Sequence, residues 1–197
     1  STLTNAGTLR KSGGTLETII GANSAFNFVN SGTVDVQTGT INFETINTLN
    51  DGSIFTGSGS SKVTNGATLS GTITGNAGFN LYSGTFAGIA TLAGNQTWSG
   101  GTLSGGAVYT VSSGSSLNIA SGSNKYLDNG TLAIANGGVV NWTDGHIYLN
   151  NGSQLNVLSG GLFDMQSDFD IYYTTGTIPT LTNAGTLHKS IKTGETI

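Results

Sequence analysis

The 197 residues contain no cysteine, so neither a disulfide nor a thiolate metal site holds this chain together. Proline occurs once, and glycine, although present 32 times, follows no Gly-X-Y period, which excludes a collagen triple helix. Charge is scarce: 8% of residues are charged and the net charge is −4. With six Lys plus Arg in total, no basic patch can neutralise phosphates in number, and nucleic acid is not an expected partner. No run approaches the 18 or so apolar residues of a membrane-spanning helix. The opening STLTNAGTL lacks the basic and apolar parts of a signal peptide, so if the parent protein is secreted its signal is expected outside this segment. Helix signals are missing too, because glycines interrupt every stretch that begins an i, i+3, i+4, i+7 apolar pattern.

What remains is Gly, Thr, Ser and Asn around short alternating stretches. Phe26-x-Phe28, Val34-x-Val36, Ile41-x-Phe43, Leu117-x-Ile119, Leu132-x-Ile134, Leu155-x-Val157 and Phe163-x-Met165 each put two apolar side chains on one face. The residue between is usually polar (Asn27, Asp35, Asn42, Asn118, Asn156, Asp164), as in strands with one face buried and one wet. The alternation predicts a core that includes Phe28, Val36, Phe43, Ile119, Ile134 and Val157. Between strands stand turns of one form, Asn-x-Gly-Thr followed by an aliphatic, at Asn5–Leu9, Asn30–Val34 and Asn183–Leu187. Gly supplies positive φ and Asn tolerates it.

One stretch organises the chain. LTNAGTL occupies Leu3–Leu9 and returns at Leu181–Leu187. At the same offset Lys11-Ser12 returns as Lys189-Ser190, Thr15 as Thr193, and Glu17–Ile19 as Glu195–Ile197, so that 14 of 19 aligned positions agree. Residues 1–197 therefore read as a single solenoid segment: one period of roughly 178 residues from a longer tandem array plus the first coil of the next, with the two copies in equivalent coils. Turn glycines recur at Gly7, Gly32 and Gly52. Such spacings fit coils of about 18–25 residues in an all-β parallel β-helix (β-solenoid) of roughly nine or ten coils, each coil about 4.8 Å above the last.

The stretches NAGTLRKSGG (Asn5–Gly14), FNFVNSGTVDVQTGTINF (Phe26–Phe43), TWSGGTLSGG (Thr97–Gly106) and the run from Lys125 to Asp170 resemble the filamentous-haemagglutinin-type and autotransporter-type repeats of large bacterial surface proteins. That resemblance covers nearly the whole chain. It implies a right-handed parallel β-helix, an extracellular or cell-surface location, and a role in adhesion or matrix building. It carries over no catalytic or binding residue.

Chemistry has few places to sit. Asp164, Asp168 and Asp170 form the densest acid group and are the candidate calcium ligands, although the G-G-x-G-x-D calcium repeat is absent. A polysaccharide lyase also needs a base near its acids. Arg10 is remote in sequence, and Lys125 and Lys189 lie among ordinary turns. A hydrolase needs two carboxylates at fixed separation, and Asp144 beside His146 is the remaining candidate, with Glu17 and Glu44 too remote to place. His146 and His188 are isolated and suggest no metal. Trp98, Trp142, Tyr172 and Tyr173 are the candidates for stacking on sugars; the bland alternative for the tryptophans is a large ring capping an irregular coil. Of Tyr172 and Tyr173, adjacent on a strand, one is expected outside. Thr-x-Thr pairs do not recur at one coil length, against an ice-binding face. The expectation is thus a non-enzymatic structural or adhesive repeat without a required cofactor. Its expected partners are neighbouring copies stacked end to end, and host or matrix glycans. A carbohydrate-binding or polysaccharide-degrading β-helix is the alternative.

Overall fold

Strands of four residues with two apolar side chains on one face cannot bury that face alone; they must be closed around a common axis or stacked on a second sheet. This chain closes them around an axis. The computed structural model describes residues 1–22 and 26–190, and all their side chains except those of 76 and 77. Among the described residues there are strands, turns and bends, and no helix. The first coil consists of β1 (Thr2–Asn5), β2 (Thr8–Lys11) and β3 (Glu17–Ile20). The second has β4 (Asn27–Asn30), β5 (Thr33–Val36) and β6 (Thr40–Phe43), and the third β7 (Ile46–Leu49), β8 (Ser53–Thr56) and β9 (Ser60–Val63). The fourth and fifth are single long strands, β10 (Ala67–Leu81) and β11 (Thr85–Trp98), which run across all three faces. Next come β12 (Gly101–Ser104), β13 (Val108–Val111) and β14 (Ser116–Ile119), then β15 (Lys125–Asp128), β16 (Thr131–Ile134) and β17 (Val139–Trp142). The last two coils are β18 (Ile147–Asn150), β19 (Gln154–Val157) and β20 (Leu162–Met165), then β21 (Ile171–Tyr172), β22 (Thr180–Asn183) and β23 (Thr186–Lys189).

All pairings are parallel and join each strand to the one a full coil ahead, such as β1 to β4, β2 to β5 and β3 to β6. Three parallel sheets result, called here the first, second and third faces, each starting at β1, β2 or β3. This is a parallel β-solenoid. It has nine rungs on each face and hence about eight full turns, slightly fewer than the nine or ten coils expected. Coil length varies: Phe86 meets its partner on the next rung at Leu103, whereas Leu155 does so only at Leu181. The variation falls at the corners while the strands keep register.

Register turns the alternation into columns. On the third face Phe43, Val63, Leu81, Trp98, Ile119, Trp142 and Met165 stand one above another inside the rod. All six predicted core residues, Phe28, Val36, Phe43, Ile119, Ile134 and Val157, are fully buried. Phenylalanine rings fill the N-terminal half, with Phe28 stacked on Phe43 at 4.3 Å and Phe55 on Phe79 at 3.9 Å between centroids. Each such ring contributes about 1.5–3 kcal/mol by its burial. Two asparagines, Asn5 and Asn30, also point inward because one bonds to the other and both reach corner carbonyls. The Asn5 side-chain amide donates to Asn30 Oδ1 at 2.7 Å, and Asn30 donates to the Gly32 carbonyl at 3.0 Å.

The repeated segment does not land where the sequence reading puts it. β1 and β22 share Thr-Leu-Thr-Asn, and β2 and β23 share Thr-Leu-x-Lys. Yet β22 sits on β19 in the column that begins at β2, and β23 sits on β20 in the column that begins at β3. The second copy is therefore one face further round than the first, not on the equivalent face. Between β1 and β22 the chain takes 25 face-to-face steps, since β10 and β11 each cross three faces, and 25 is not a multiple of three. The remainder of the repeat, Thr193 and Glu195–Ile197, lies outside the described residues.

The stacked Asn-x-Gly turns approach so closely that one needs glycine. A Cβ on Gly32 would lie 2.3 Å from the Gly7 carbonyl oxygen and 2.8 Å from the Ala6 carbonyl carbon, whereas Gly7 itself faces open space. Gly32→Ala is expected to destabilise the rod by about 2–4 kcal/mol. Gly7→Ala is expected to leave the unfolding midpoint unchanged or slightly raised. Thermal melts of the two variants check the pair, and equal losses would contradict the stacking.

Candidate functional site

Register also builds columns on the outside. On the first face, Tyr126, Tyr148 and Tyr172 are the outward residues of β15, β18 and β21 and stand directly above one another. Tyr126 and Tyr148 stack at 4.9 Å with planes 22° apart; Tyr148 and Tyr172 follow at 5.2 Å and 36°. His146, at the corner before β18, sits edge-on to Phe169 at 4.9 Å and tilts against Tyr172 at 5.0 Å. Its Nδ1 accepts the Asp170 backbone N–H at 3.0 Å. Asp170 in turn accepts the Tyr172 hydroxyl at 2.7 Å. That hydrogen bond to the neighbouring carboxylate holds the Tyr172 phenol above its usual range, because ionisation would set two negative charges side by side.

The ladder answers the question about sugar platforms. Trp98 and Trp142 are 1% and 0% exposed, each with its indole N–H donated to a corner carbonyl, Gly100 at 2.9 Å and Gly145 at 2.7 Å. They are core residues and present no ring to solvent, which corrects their candidacy as stacking surfaces. Tyr172 and Tyr173 are both exposed, not one of the two, because β21 ends at Tyr172 and alternation lapses there. Tyr148 is sandwiched between Tyr126 and Tyr172, so its ring faces are taken and it offers its edge and hydroxyl. Tyr126 and Tyr148 escaped sequence reasoning; the available signal was the recurrence of Tyr-Leu-Asx at 126 and 148.

The acids separate. Asp164, outward on β20 but buried, accepts Gln166 Nε2 at 2.7 Å and the Ser190 hydroxyl at 2.9 Å. Asp168 pairs with Lys189 at 2.8 Å, and Asp170 belongs to the His146–Tyr172 cluster. Among the described residues no three His, Asp or Glu side chains come together as a metal-holding group, so Asp164, Asp168 and Asp170 do not form the calcium cluster expected of them. Two basic side chains nevertheless reach these acids. The pairing of β20 with β23 places His188 directly over Asp164, with Nδ1 3.3 Å from Oδ1, and brings Lys189 to Asp168. Arg10 remains distant and pairs with Asp35 at 2.8 Å. A cleft of about 390 Å³ lies at the neighbouring corner, lined by Thr143, Asp144, Ser167, Asp168 and Phe169. Asp144 does not join His146 there; its Oδ1 accepts the Gly145 N–H at 2.8 Å.

Beneath that corner lies a residue of unusual placement. Lys125 occupies an inward position of β15 and is fully buried, its ammonium donating to the carbonyls of Ser121 at 2.6 Å and Asp144 at 3.0 Å. Burial pulls this ammonium down to about 8, the Asp144 charge opposing it in part.

No known protein family, no curated protein and no solved structure matches the chain.

The buried Lys125 makes stability depend on pH. Above pH 8 the folded chain has shed a proton that the unfolded chain still binds, so stability rises from pH 8 towards pH 9.5. Urea midpoints across that window are expected to climb in the native chain and to lie flat in Lys125→Met. An unchanged slope in the variant would reject the assignment.

Proposed function

We propose that this chain is a non-enzymatic structural repeat of an extracellular or cell-surface fibre, a stiff segment that spaces or builds by joining further copies of itself. The observation that carries this reading is the recurrence of residues 2–9 at 180–187 with the same inward and outward residues, Leu3 and Leu181 both facing the axis. A motif shared by the two ends of one solenoid suits a rod that continues. The last described coils support it: a groove of about 410 Å³ there is lined by Leu149, Met165, Ile171, Tyr172, Pro179 and Leu181, of which Leu149, Met165, Ile171 and Leu181 continue the apolar core column. The partnered state of the acids supports the absence of catalysis, since each is held by a hydrogen-bond donor or cation from its own or the next rung.

Two measurements test this. Electron microscopy and light scattering over a concentration series are expected to show unbranched rods that lengthen in steps of about 43 Å, the height of nine stacked rungs. A rod of constant length at every concentration would overturn assembly. Replacing Asp164, Asp168 and Asp170 together by Asn is expected to leave surface attachment intact. Release of unsaturated or reducing sugar ends by the native chain, lost in that triple variant, would establish an enzyme instead.

A further inference from the structure

The repeated segment has a known upper neighbour at its first occurrence. Residues 27–36 lie on residues 2–11, with Leu3 under Phe28, Asn5 under Asn30 and Leu9 under Val34. The Asn5 and Asn30 amides bond at 2.7 Å, Arg10 meets Asp35 at 2.8 Å, and Gly32 closes on the Gly7 carbonyl. Residues 180–189 reproduce residues 2–11 at every position but one, His188 standing for Arg10. Their lower edge is taken by β19 and β20, while no described residue pairs with their upper edge. The same side chains at the same in-and-out phase make the same demand on whatever covers them.

We propose that the upper edge of β22 and β23 is covered by residues 27–36 of the following period of a continuous chain, residues 180–189 serving as that period's residues 2–11, and that each period is turned by one face, about 120°, relative to the one before it. The inference rests on the structural-repeat reading and adds to it both the contact and its angle. Asn183 then takes the place of Asn5 against Asn30 of the following copy, and Gly185 receives its Gly32. His188 then lies between Asp164 below, 3.3 Å from its Nδ1, and Asp35 of the following copy above. The Arg10 guanidinium is thus replaced by an imidazole, a ring whose N–H can face the same carboxylate.

The angle follows from the count of segments. One period winds eight and one-third turns, because β22 stands in the column of β2 and not of β1. Three periods, or 25 turns, restore the original face. The tyrosine ladder of one copy points in a direction 120° from that of the next, and the fibre presents it on all three sides in succession.

The test is a longer chain in which residues 1–190 are followed by residues 13–197, so that both copies keep their own sequence and His188 stays at the junction. The absence of native cysteine lets engineered pairs report cleanly. Since Thr4 lies opposite Val29, Thr182→Cys in the first copy is expected to form a disulfide with Val29→Cys in the second; neighbouring Cα atoms about 5 Å apart suit that bond. Tyr172→Cys in the first copy, on the first face, is expected not to link to the same Val29→Cys. The reverse pattern would show copies stacked without rotation, overturning the angle while leaving the structural repeat standing. No link in either pair, with small-angle scattering that shows two rods on a loose joint, would bring down both.

Discussion

Everything in this molecule depends on backbone hydrogen bonds that run along the rod instead of across it. The N–H groups of one coil donate to carbonyls of the coils below and above, in the corners as well as the strands: Thr33 to Gly7 and Gln37 to Lys11 downward, each at 2.8 Å, and Gly66 to Ser83 upward at 2.9 Å. Once that ladder is in place, every residue sits about 4.8 Å above its counterpart, and like side chains are forced into contact. Asparagine over asparagine and tyrosine over tyrosine follow from this spacing, while the stacked phenylalanines meet inside the rod from different faces. So does the glycine at 32, where two turns of the same shape are pressed together with no room for a methyl group.

The inward set was legible because alternation depends only on neighbours in sequence. Phe28, Val36 and Val157 needed no knowledge of coil length. Trp142 was equally legible, as Val140-x-Trp142 puts the ring inward in phase with a valine; attention to its polar neighbours hides this. Contacts between rungs were not legible, because they require the exact length of each coil. The corners change that length, so that Phe86 is covered by Leu103 but Leu155 by the much later Leu181. Hence His188 over Asp164, Lys189 beside Asp168 and the tyrosine ladder emerge only in three dimensions. The face occupied by the second repeat was hidden for a related reason. β10 and β11 bend through three faces without the turn motif that marks other corners, so their segments cannot be counted from sequence.

Lys125 shows a further limit. A lysine at an inward strand position breaks the pattern of apolar inward residues, and composition alone sends it to the surface. Two corner carbonyls, from Ser121 and Asp144, make the inward position tolerable by accepting from the ammonium. Backbone acceptors at a bend carry no sequence signature, and a buried cation held by them cannot be read ahead of the structure.

The corners have a mechanical meaning beyond their variable length. Strands lie across the long axis, so tension along the rod pulls the ladder apart one rung at a time, starting at an end, instead of shearing a whole sheet at once. Each coil that peels away frees about 20 residues, or about 70 Å of chain at roughly 3.3–3.6 Å per residue, against about 5 Å of height lost. A solenoid of this kind stays rigid under light load and lengthens stepwise under heavy load, with the longest corners giving the largest steps.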